Sequence, residues 1–283
     1  MGSESAKKLA EALDIKRVRP DGRYRYRQGD KIINWGNSTR PNWLTEEASE
    51  TMLNHPEAVK MASNKINTFE ALTRAEVPTL DFTTDSYEAQ RWLNDGEGVY
   101  IRQVVTGHSG EGITVMRNPG SEYQDILNEM ATKLSEMGYD ALASEVEYEA
   151  VLSVERQLVP QAPLYTKAKE NNGEYRVHVF QGKVIDYRKK SRRDGDPAQE
   201  GQSDVRTLGN GWVFRQSNLK RLERIEELAI QAIEALGLDF GAVDIIKDEN
   251  GEVYVIEINT AVSCDDETLS NYLTAINEFY ATT

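Results

Sequence analysis

The feature that most constrains this chain is the segment FGAVDIIKDENGEVYVIEIN, residues 240–259, in which two apolar runs flank Asn250 and Gly251. An Asn-Gly dipeptide between alternating strand residues predicts a hairpin with a two-residue turn. In that register Asp244 lies directly opposite Glu257. Both strands are otherwise apolar, so the sequence predicts two facing carboxylates within a well-buried pair of strands.

The predicted hairpin also determines which side chains share a face. Side chains alternate along a strand, so we expect Val253, Val255, Glu257 and Asn259 to project together, beside Asp244. Two opposed carboxylates repel each other unless a positive charge lies between them. A Mg²⁺ ion fits this requirement because it favours oxygen ligands. The alternative is an acidic face that is solvated or paired with lysine.

Composition limits the possible partners. The 283 residues include 33 Lys plus Arg and 47 Asp plus Glu, a net charge of −14, which argues against a general polyanion binder. The single cysteine, Cys264, excludes an internal disulfide and a multi-cysteine zinc site. No apolar stretch is long enough to span a membrane, and the first residues lack the apolar centre of a secretory signal. We therefore expect a cytoplasmic protein with no membrane partner.

The pattern of secondary structure indicates fold class. Hairpins are predicted over residues 97–120, over residues 174–190 around Gln181-Gly182, and over residues 240–259. Helices are predicted between them, for example from Leu219 to Leu236, and a strand is predicted near Val151 to Leu158. Hairpins that alternate with helices indicate an α+β protein of mostly antiparallel sheets.

Two further segments suggest phosphate chemistry. A glycine-rich loop runs from Thr106 to Gly112 and offers backbone amides to a phosphate, although a simple hairpin tip explains it equally well. Arg102 precedes this loop, and Lys65 could approach from another side. The run RKKSRR, residues 188–193, is a solvated turn, a nucleic-acid contact or a site that neutralises a triphosphate and an acyl phosphate.

Five separated motifs, in this order, resemble the ATP-grasp superfamily, which includes D-alanine-D-alanine ligase and the ribosomal-protein glutamate ligase. They are SNKINTFEAL followed by VPT; YIRQVVTGHSGEGI; LYTKAKENNGEYRVHVFQGKVID; FRQSN; and AVDIIKDENGEVYVIEINTA. Together they span about residues 61–262. The segments IINWGNS and GEYRVHVF are most similar to the corresponding segments of ATP-grasp proteins encoded by tailed bacteriophages.

The resemblance implies the ATP-grasp fold, ATP and Mg²⁺ as cofactors, and a role for particular residues. It implies magnesium ligands at Asp244, Glu257 and Asn259. It implies ATP contacts, with phosphates, adenine or ribose, at Lys65, Arg102, Ser109, Gly110, Glu111, Gly112, Leu164, Tyr165, Thr166 and Glu174. It implies an acyl-phosphate site lined by Arg176, Lys189, Arg215 and Asn218, with Gln216 as an alternative to the last two. Arg102 stands where the superfamily usually has lysine.

The leading hypothesis is a ligase that activates a substrate carboxylate as an acyl phosphate and joins it to an amine. The substrates would be small molecules or peptides, and a phage-encoded enzyme would act in the host cytoplasm. One alternative is an ATP-binding module without catalysis. Another is a ligase whose acceptor is linked to a nucleic acid, which the net charge opposes but the basic segments leave open. The expected domains are an N-terminal region at 1–57, a small ATP-grasp subdomain at 58–158 and a large one at 159–283. The sequence does not indicate the oligomeric state.

Overall fold

A computed structural model describes residues 3–106, 112–117, 120–155, 158–193, 206, 209, 211–216 and 220–282, with only the backbone at 120–126 and 149–155. The chain divides into two compact units, both of them discontinuous in sequence. Unit 1 comprises Met1–Thr79, Glu170–Pro197 and Gly211–Thr283, and unit 2 comprises Leu80–Lys169 and Ala198–Asn210. The expected functional division at residues 57 and 158 stays a prediction.

The described part of the chain contains nine helices and eleven strands. The helices are α1 (Glu4–Ala12), α2 (Glu46–Glu50), α3 (Pro56–Ser63), α4 (Lys65–Arg74), α5 (Ser86–Asn94), α6 (Gly120–Glu136), α7 (Asp140–Glu155), α8 (Glu223–Ala235) and α9 (Asp266–Thr282). The strands are β1 (Ile32–Ile33), β2 (Met52–Leu53), β3 (Phe82–Thr83), β4 (Val99–Arg102), β5 (Ile113–Met116), β6 (Leu164–Lys167), β7 (Gly173–Phe180), β8 (Lys183–Arg192), β9 (Trp212–Arg215), β10 (Phe240–Lys247) and β11 (Val253–Asn259).

Unit 1 is built on a five-stranded antiparallel sheet in the order β11-β10-β7-β8-β9. One face of the sheet packs against α8, whose apolar residues recur at helical spacing as the sequence predicts. Helices α3 and α4 join this layer along β11. The resulting core buries Val177, Val243 and Ile245 of the sheet together with Ile225 and Ala229 of α8.

The opposite face of this sheet is covered at one end by α1 and α9. Phe180 and Phe240 enter a second core there with Leu9, Tyr272 and Ile276. The remainder of that face carries charged side chains, described below. A short parallel pair, β1 and β2, lies in the same unit.

Unit 2 contains a four-stranded antiparallel sheet in the order β3-β6-β4-β5. Its core joins Ala89 and Leu93 of α5 to Val99, Ile101 and Tyr165 of the sheet. Helices α6 and α7 pack against each other as a helical hairpin. The sheets of both units are antiparallel and alternate with helices, which confirms the predicted α+β class.

The strand predicted near Val151 to Leu158 is wrong, because residues up to Glu155 belong to α7. The stretch DALASEVEYEAVLSVE is rich in Ala, Leu and Glu, all strong helix formers, and its few valines do not outweigh them. Local propensity over the whole window decides the structure here.

The third hairpin has the predicted pair of Asp244 with Glu257, but the predicted two-residue turn is wrong. The Asp248 amide donates to the Glu252 carbonyl at 2.9 Å, which leaves a three-residue loop. A β-bulge beyond it shifts the register by one residue and restores the pairing at Asp244. The loop and the bulge therefore compensate each other.

The bulge also changes the faces of β11. Val253 and Val255 pack in the core beneath α8 together with Ile258. Glu257 and Asn259 therefore lie on the other face, so the predicted grouping of the two valines with these polar residues is wrong. The predicted grouping of Glu257 with Asn259 and Asp244 is retained.

No helix among the described residues is long and apolar enough to cross a membrane.

Candidate active site

One face of the unit 1 sheet carries two acids on the neighbouring strands β11 and β10 and two bases on the next strands, β7 and β8. Asp244 of β10 pairs with Glu257 of β11 on one side and with Arg176 of β7 on the other. Arg176 in turn pairs with Arg188 of β8. Cross-strand partners project to the same side of a sheet. We call the following set the charged face: Glu174, Arg176, Arg188, Lys190, Asp244 and Glu257.

Asp244 and Arg176 form a bidentate ion pair at the centre of the charged face. The Arg176 Nε and Nη2 atoms each donate to one Asp244 carboxylate oxygen at 2.7 Å. Asp244 is only 3% exposed. Burial disfavours the charged guanidinium, but the charge and hydrogen bonds of Asp244, with the charges of Glu257 and Glu174, outweigh this effect and raise the pKa of Arg176. The Arg176 Cζ also lies 4.2 Å from the centre of the Phe214 ring, a cation–π contact.

Glu257 is paired with Lys65, which comes from a distant part of the sequence. The Lys65 Nζ donates to the Glu257 Oε1 at 2.9 Å. Lys65 is the first residue of α4, and the Asn64 side chain caps this helix by accepting from the Ile66 amide at 3.0 Å. The cap therefore determines where α4 begins and positions Lys65 at the edge of the charged face.

The remaining cations of the charged face have different partners. Lys190 donates to Glu174 and lies 4.9 Å from the centre of the Phe214 ring. Arg188 donates to Asp186 at 2.9 Å and to Asp265 in a two-bond contact. Arg188 thus anchors the start of α9 to the sheet, whereas Lys190 lies near Arg176 on the same aromatic ring.

Lys189 and Arg215, expected at the acyl-phosphate site, are not brought together with Arg176. They pair with each other across β8 and β9, and Lys189 also pairs with Tyr175, a residue of the core beneath α8. Strand alternation puts both side chains on the face opposite to the charged face. Their catalytic role stays a prediction to which this placement gives no support.

The ATP-grasp resemblance selected Lys189 and missed Lys190 and Arg188, and a second β-bulge places Lys189 on the opposite face. Next to the Gln181-Gly182 turn, Phe180 pairs with Lys183. Continued without interruption, that register would set Glu174 opposite Lys189. A register shift between His178 and Val179 moves every later pair by one residue, so that Tyr175 faces Lys189. Alternation within RKKSRR was visible in the sequence, but the bulge was not.

Unit 2 holds the residues predicted to contact adenine and, among the predicted phosphate contacts, Arg102 and the glycine loop. Leu164, Tyr165 and Thr166 lie on β6 and are completely buried. Tyr165 donates its hydroxyl to the Pro160 carbonyl at 2.9 Å. Arg102 ends β4, is 8% exposed and pairs with Leu164. The structure therefore brings Arg102 and the three β6 residues together within one unit.

Part of the glycine loop lies outside the described residues, as do Ser109, Gly110, Glu111 and Asn218. The described Gly112 closes the loop, since its carbonyl accepts from the Gln103 amide at 2.9 Å. A φ of 67° at Gly112 favours glycine there. The predicted hairpin of β4 with β5 on either side of this loop is confirmed.

The donor set of the charged face fits a magnesium ion. The described residues contain no cluster of three or more His, Cys, Asp or Glu side chains suited to a metal. The available oxygen donors are instead two facing carboxylates, Asp244 and Glu257, and the amide of Asn259. The Asn259 Nδ2 atom is buried without a partner among the described residues, and as a donor it calls for an acceptor such as a phosphate oxygen rather than for the metal. The metal would be bound by the carboxylate oxygens and the Asn259 Oδ1. Hard oxygen donors of this kind suit Mg²⁺.

We compared the chain with known protein families and with solved structures. Residues 62–276 match the RimK-like ATP-grasp domain. The tetrahydromethanopterin:alpha-L-glutamate ligase of Methanocaldococcus jannaschii is 26% identical over 222 residues, which cover 75% of this chain. The chain spans only 62% of the length of that relative.

Two solved structures have a similar fold. The N5-carboxyaminoimidazole synthetase from Staphylococcus aureus, complexed with ADP, has a TM-score of 0.54 and 12% identity, with 93% of this chain and 69% of that chain covered. The ATP-grasp ligase PsnB, complexed with a phosphomimetic variant of a minimal precursor, Mg and ADP, has a TM-score of 0.51 and 15% identity, with coverage of 83% and 64%. These two likenesses show the fold alone, whereas the match over residues 62–276 shows that the chain belongs to the RimK-like ATP-grasp family.

Proposed function

We propose that this protein is an ATP-dependent ligase that joins a carboxylate to an amine. The observation that carries the proposal is the charged face, where Asp244 and Glu257 face each other and each is paired with a cation of this chain, Arg176 or Lys65. Two carboxylates on buried strands of a RimK-like ATP-grasp domain support the proposal that this face binds a nucleotide and a metal ion.

The proposed reaction has two steps. An oxygen of the substrate carboxylate attacks the γ-phosphorus of ATP, the bond to the β,γ-bridging oxygen breaks, and ADP leaves. The amine nitrogen then attacks the carbonyl carbon of the acyl phosphate, the bond to the phosphate oxygen breaks, and the nitrogen loses a proton. An amide and inorganic phosphate result. Neither step needs a protein nucleophile, so positioning and positive charge are the main contributions of the chain.

Magnesium would be held by Asp244, Glu257 and Asn259. When bound, it would neutralise charge on the phosphate oxygens. Lys65 and Arg176 contact the same carboxylates, so they hold both acids in place and bring positive charge to the edge of the site. Lys190 adds a further cation beside Arg176, through the shared Phe214 ring.

The nucleotide contacts that the family resemblance implies are part of this proposal. We propose phosphate contacts from Lys65, Arg102 and the loop Ser109, Gly110, Glu111 and Gly112. The adenine would lie against Leu164, Tyr165 and Thr166, and because these side chains are buried, the contacts would come chiefly from the main chain. Glu174 would bind the ribose. Lys189, Arg215 and Asn218 stay candidates for the acyl-phosphate site.

The substrates would be a carboxylate and an amine carried by small molecules or peptides. The likeness of two short motifs to proteins of tailed bacteriophages makes a phage origin, and action in a host cytoplasm, part of this proposal. The division into regions 1–57, 58–158 and 159–283 is proposed for the functional subdomains.

The test is the formation of ADP from ATP with a panel of acids and amines. We expect Asp244→Ala and Glu257→Ala each to lower acceptor-dependent turnover at least about 100-fold, because each removes a proposed ligand of the magnesium ion that would neutralise the phosphates. The matched control is Glu249→Ala, an exposed acid in the loop of the same hairpin, which should retain turnover within about twofold.

Undiminished turnover in both site variants would sink the ligase assignment to this face. Magnesium-dependent ATP binding without acceptor-dependent ADP release, across the whole panel, would instead indicate a nucleotide-binding module without ligase activity.

A further inference from the structure

A groove lies in the N-terminal part of unit 1, in a region that the proposed chemistry does not use. Its volume is about 920 Å³, within the usual range for ligand sites. The walls come from α1, from residues 15–20, from β1 and β2 and from residues 35–43. We call it the N-terminal groove.

The N-terminal groove is lined by positive charge. Lys16, Arg17, Arg19 and Lys31 line it, against a single acid, Asp30. That acid accepts from the Tyr24 hydroxyl at 2.5 Å and from the Arg27 amide at 3.0 Å, so its hydrogen bonds are to neutral groups and not to the cations that line the groove.

Three of these cations have no counter-charge in the part of the chain that the structure describes. Lys16, Arg17 and Arg19 form no ion pair there, and all three are exposed. The surrounding segment, residues 16–31, contains seven basic and two acidic residues in a chain whose net charge is −14. Like charges held together without partners repel one another, so an anionic ligand would relieve a cost that the free protein bears.

The floor of the N-terminal groove is apolar. Leu9 and Met52 are nearly buried, and Ile32 and Ile33 are half-buried beside them. At the rim, Ile15 is 46% exposed. Such a floor suits aliphatic side chains and offers little to a phosphodiester backbone.

The aromatic rings of the groove are already used within the protein. Tyr24 packs edge-on against Trp43 at 4.8 Å, and the Trp43 indole donates to the Arg19 carbonyl at 3.2 Å. Trp35 packs against Phe240 and Tyr272. Proteins that bind single-stranded nucleic acids usually stack bases on exposed rings, so this arrangement favours a peptide over a nucleic acid.

The groove adjoins the end of the strand that carries the proposed metal ligands. Gly36, which follows Trp35, packs so closely on Ala261 that an added Cβ would lie 2.3 Å from the Ala261 Cβ. Ala261 is two residues beyond Asn259. A ligand in the groove is therefore held by the same unit as the charged face and next to its border.

We propose that the N-terminal groove binds a short acidic peptide segment whose apolar side chains lie on the groove floor. Its carboxylates pair with Lys16, Arg17 and Arg19. In the proposed ligase, the bound segment is the carboxylate substrate. Only this assignment rests on the proposed function, and binding of the peptide does not.

The test uses a fluorescein-labelled decapeptide of alternating glutamate and leucine, with anisotropy measured in the absence of ATP and magnesium. The comparison peptide has glutamine in place of glutamate. We expect the acidic peptide to bind the wild-type protein at least about tenfold more tightly than the glutamine peptide. Arg17→Gln/Arg19→Gln should weaken binding of the acidic peptide by at least about tenfold. The charge-matched control, Arg74→Gln/Arg91→Gln, should bind it within about twofold of wild type.

Equal affinity for the two peptides, or no binding at roughly millimolar concentration, would overturn the proposal without any variant. So would tighter binding of a single-stranded oligonucleotide, which would reassign the groove to nucleic acid. The peptide assay contains no nucleotide, so a failure to bind peptide would not contradict ligase activity. Conversely, loss of turnover in Asp244→Ala would not contradict peptide binding by the groove.

Discussion

At the scale of single residues, each carboxylate of the proposed metal site is paired with one cation of the chain. The sequence predicted that a positive charge would lie near Asp244 and Glu257, because the predicted hairpin register sets the two carboxylates opposite each other. It did not predict which cation pairs with which acid. Lys65 and Glu257 are 192 residues apart in the chain, and only the packing of α4 along β11 brings them together.

The Arg176–Asp244 pair makes a direct prediction about stability. Arg176→Met leaves a carboxylate that is 3% exposed without its bidentate partner, so we expect the free energy of unfolding to fall by about 3 kcal/mol. Arg176→Met/Asp244→Leu should recover most of that loss, because no unpaired charge remains. Urea denaturation measures both. The matched control is Arg224→Met, whose pair with Glu252 is exposed and should be worth less than about 1 kcal/mol. Equal losses in Arg176→Met and Arg224→Met would contradict the assigned role of burial.

At the scale of elements, the hairpins could be read from the sequence and their bulges could not. Turn residues and alternation located the strands of the second and third hairpins. Each bulge inserts one residue without a propensity signal, and it is favoured by tertiary packing: Ile258 joins the core beneath α8 while Glu257 stays on the charged face. A one-residue shift exchanges the two faces of a strand, which is why Lys190, rather than Lys189, lies beside Glu174.

The attachment of α9 to the sheet involves a buried histidine. The His178 Nδ1 lies 3.3 Å from the Tyr272 hydroxyl of α9, and His178 pairs with Asp186 across β7 and β8. His178 is 1% exposed. Burial disfavours the charged ring and lowers the pKa of His178 to about 4, although the charge of Asp186 opposes this in part.

This histidine should make stability fall as the pH falls. Between about pH 6.5 and pH 4 the unfolded chain binds a proton at this residue and the folded chain does not, so the contribution is lost on acidification. At pH 5 we expect a loss of about 2 kcal/mol relative to pH 7.5 from this group. Urea denaturation of wild type and His178→Gln at both pH values isolates the contribution of His178, because the other groups change the free energy of unfolding equally in the two proteins. Parallel pH profiles for the two proteins would contradict the burial of a neutral His178.

At the scale of the whole molecule, charge is distributed unevenly. The chain carries −14 overall, yet residues 16–31 hold seven basic side chains, and the charged face sets two acids, Glu257 and Asp244, beside bases on the neighbouring strands. The pattern of secondary structure and the order of the motifs were sufficient to predict the α+β class and the ATP-grasp superfamily. The discontinuous limits of the two compact units could not be predicted, because they depend on which distant segments pack together.

We propose that Asp244 and Glu257 hold magnesium together with ATP, and calorimetric titration with ATP tests this proposal most directly. We expect wild type to bind ATP at least about tenfold more tightly with magnesium than with a chelator. In Asp244→Asn/Glu257→Gln that magnesium effect should disappear, whereas Glu249→Gln, in the loop of the same hairpin, should retain it. An unchanged magnesium effect in the double variant would contradict the claim.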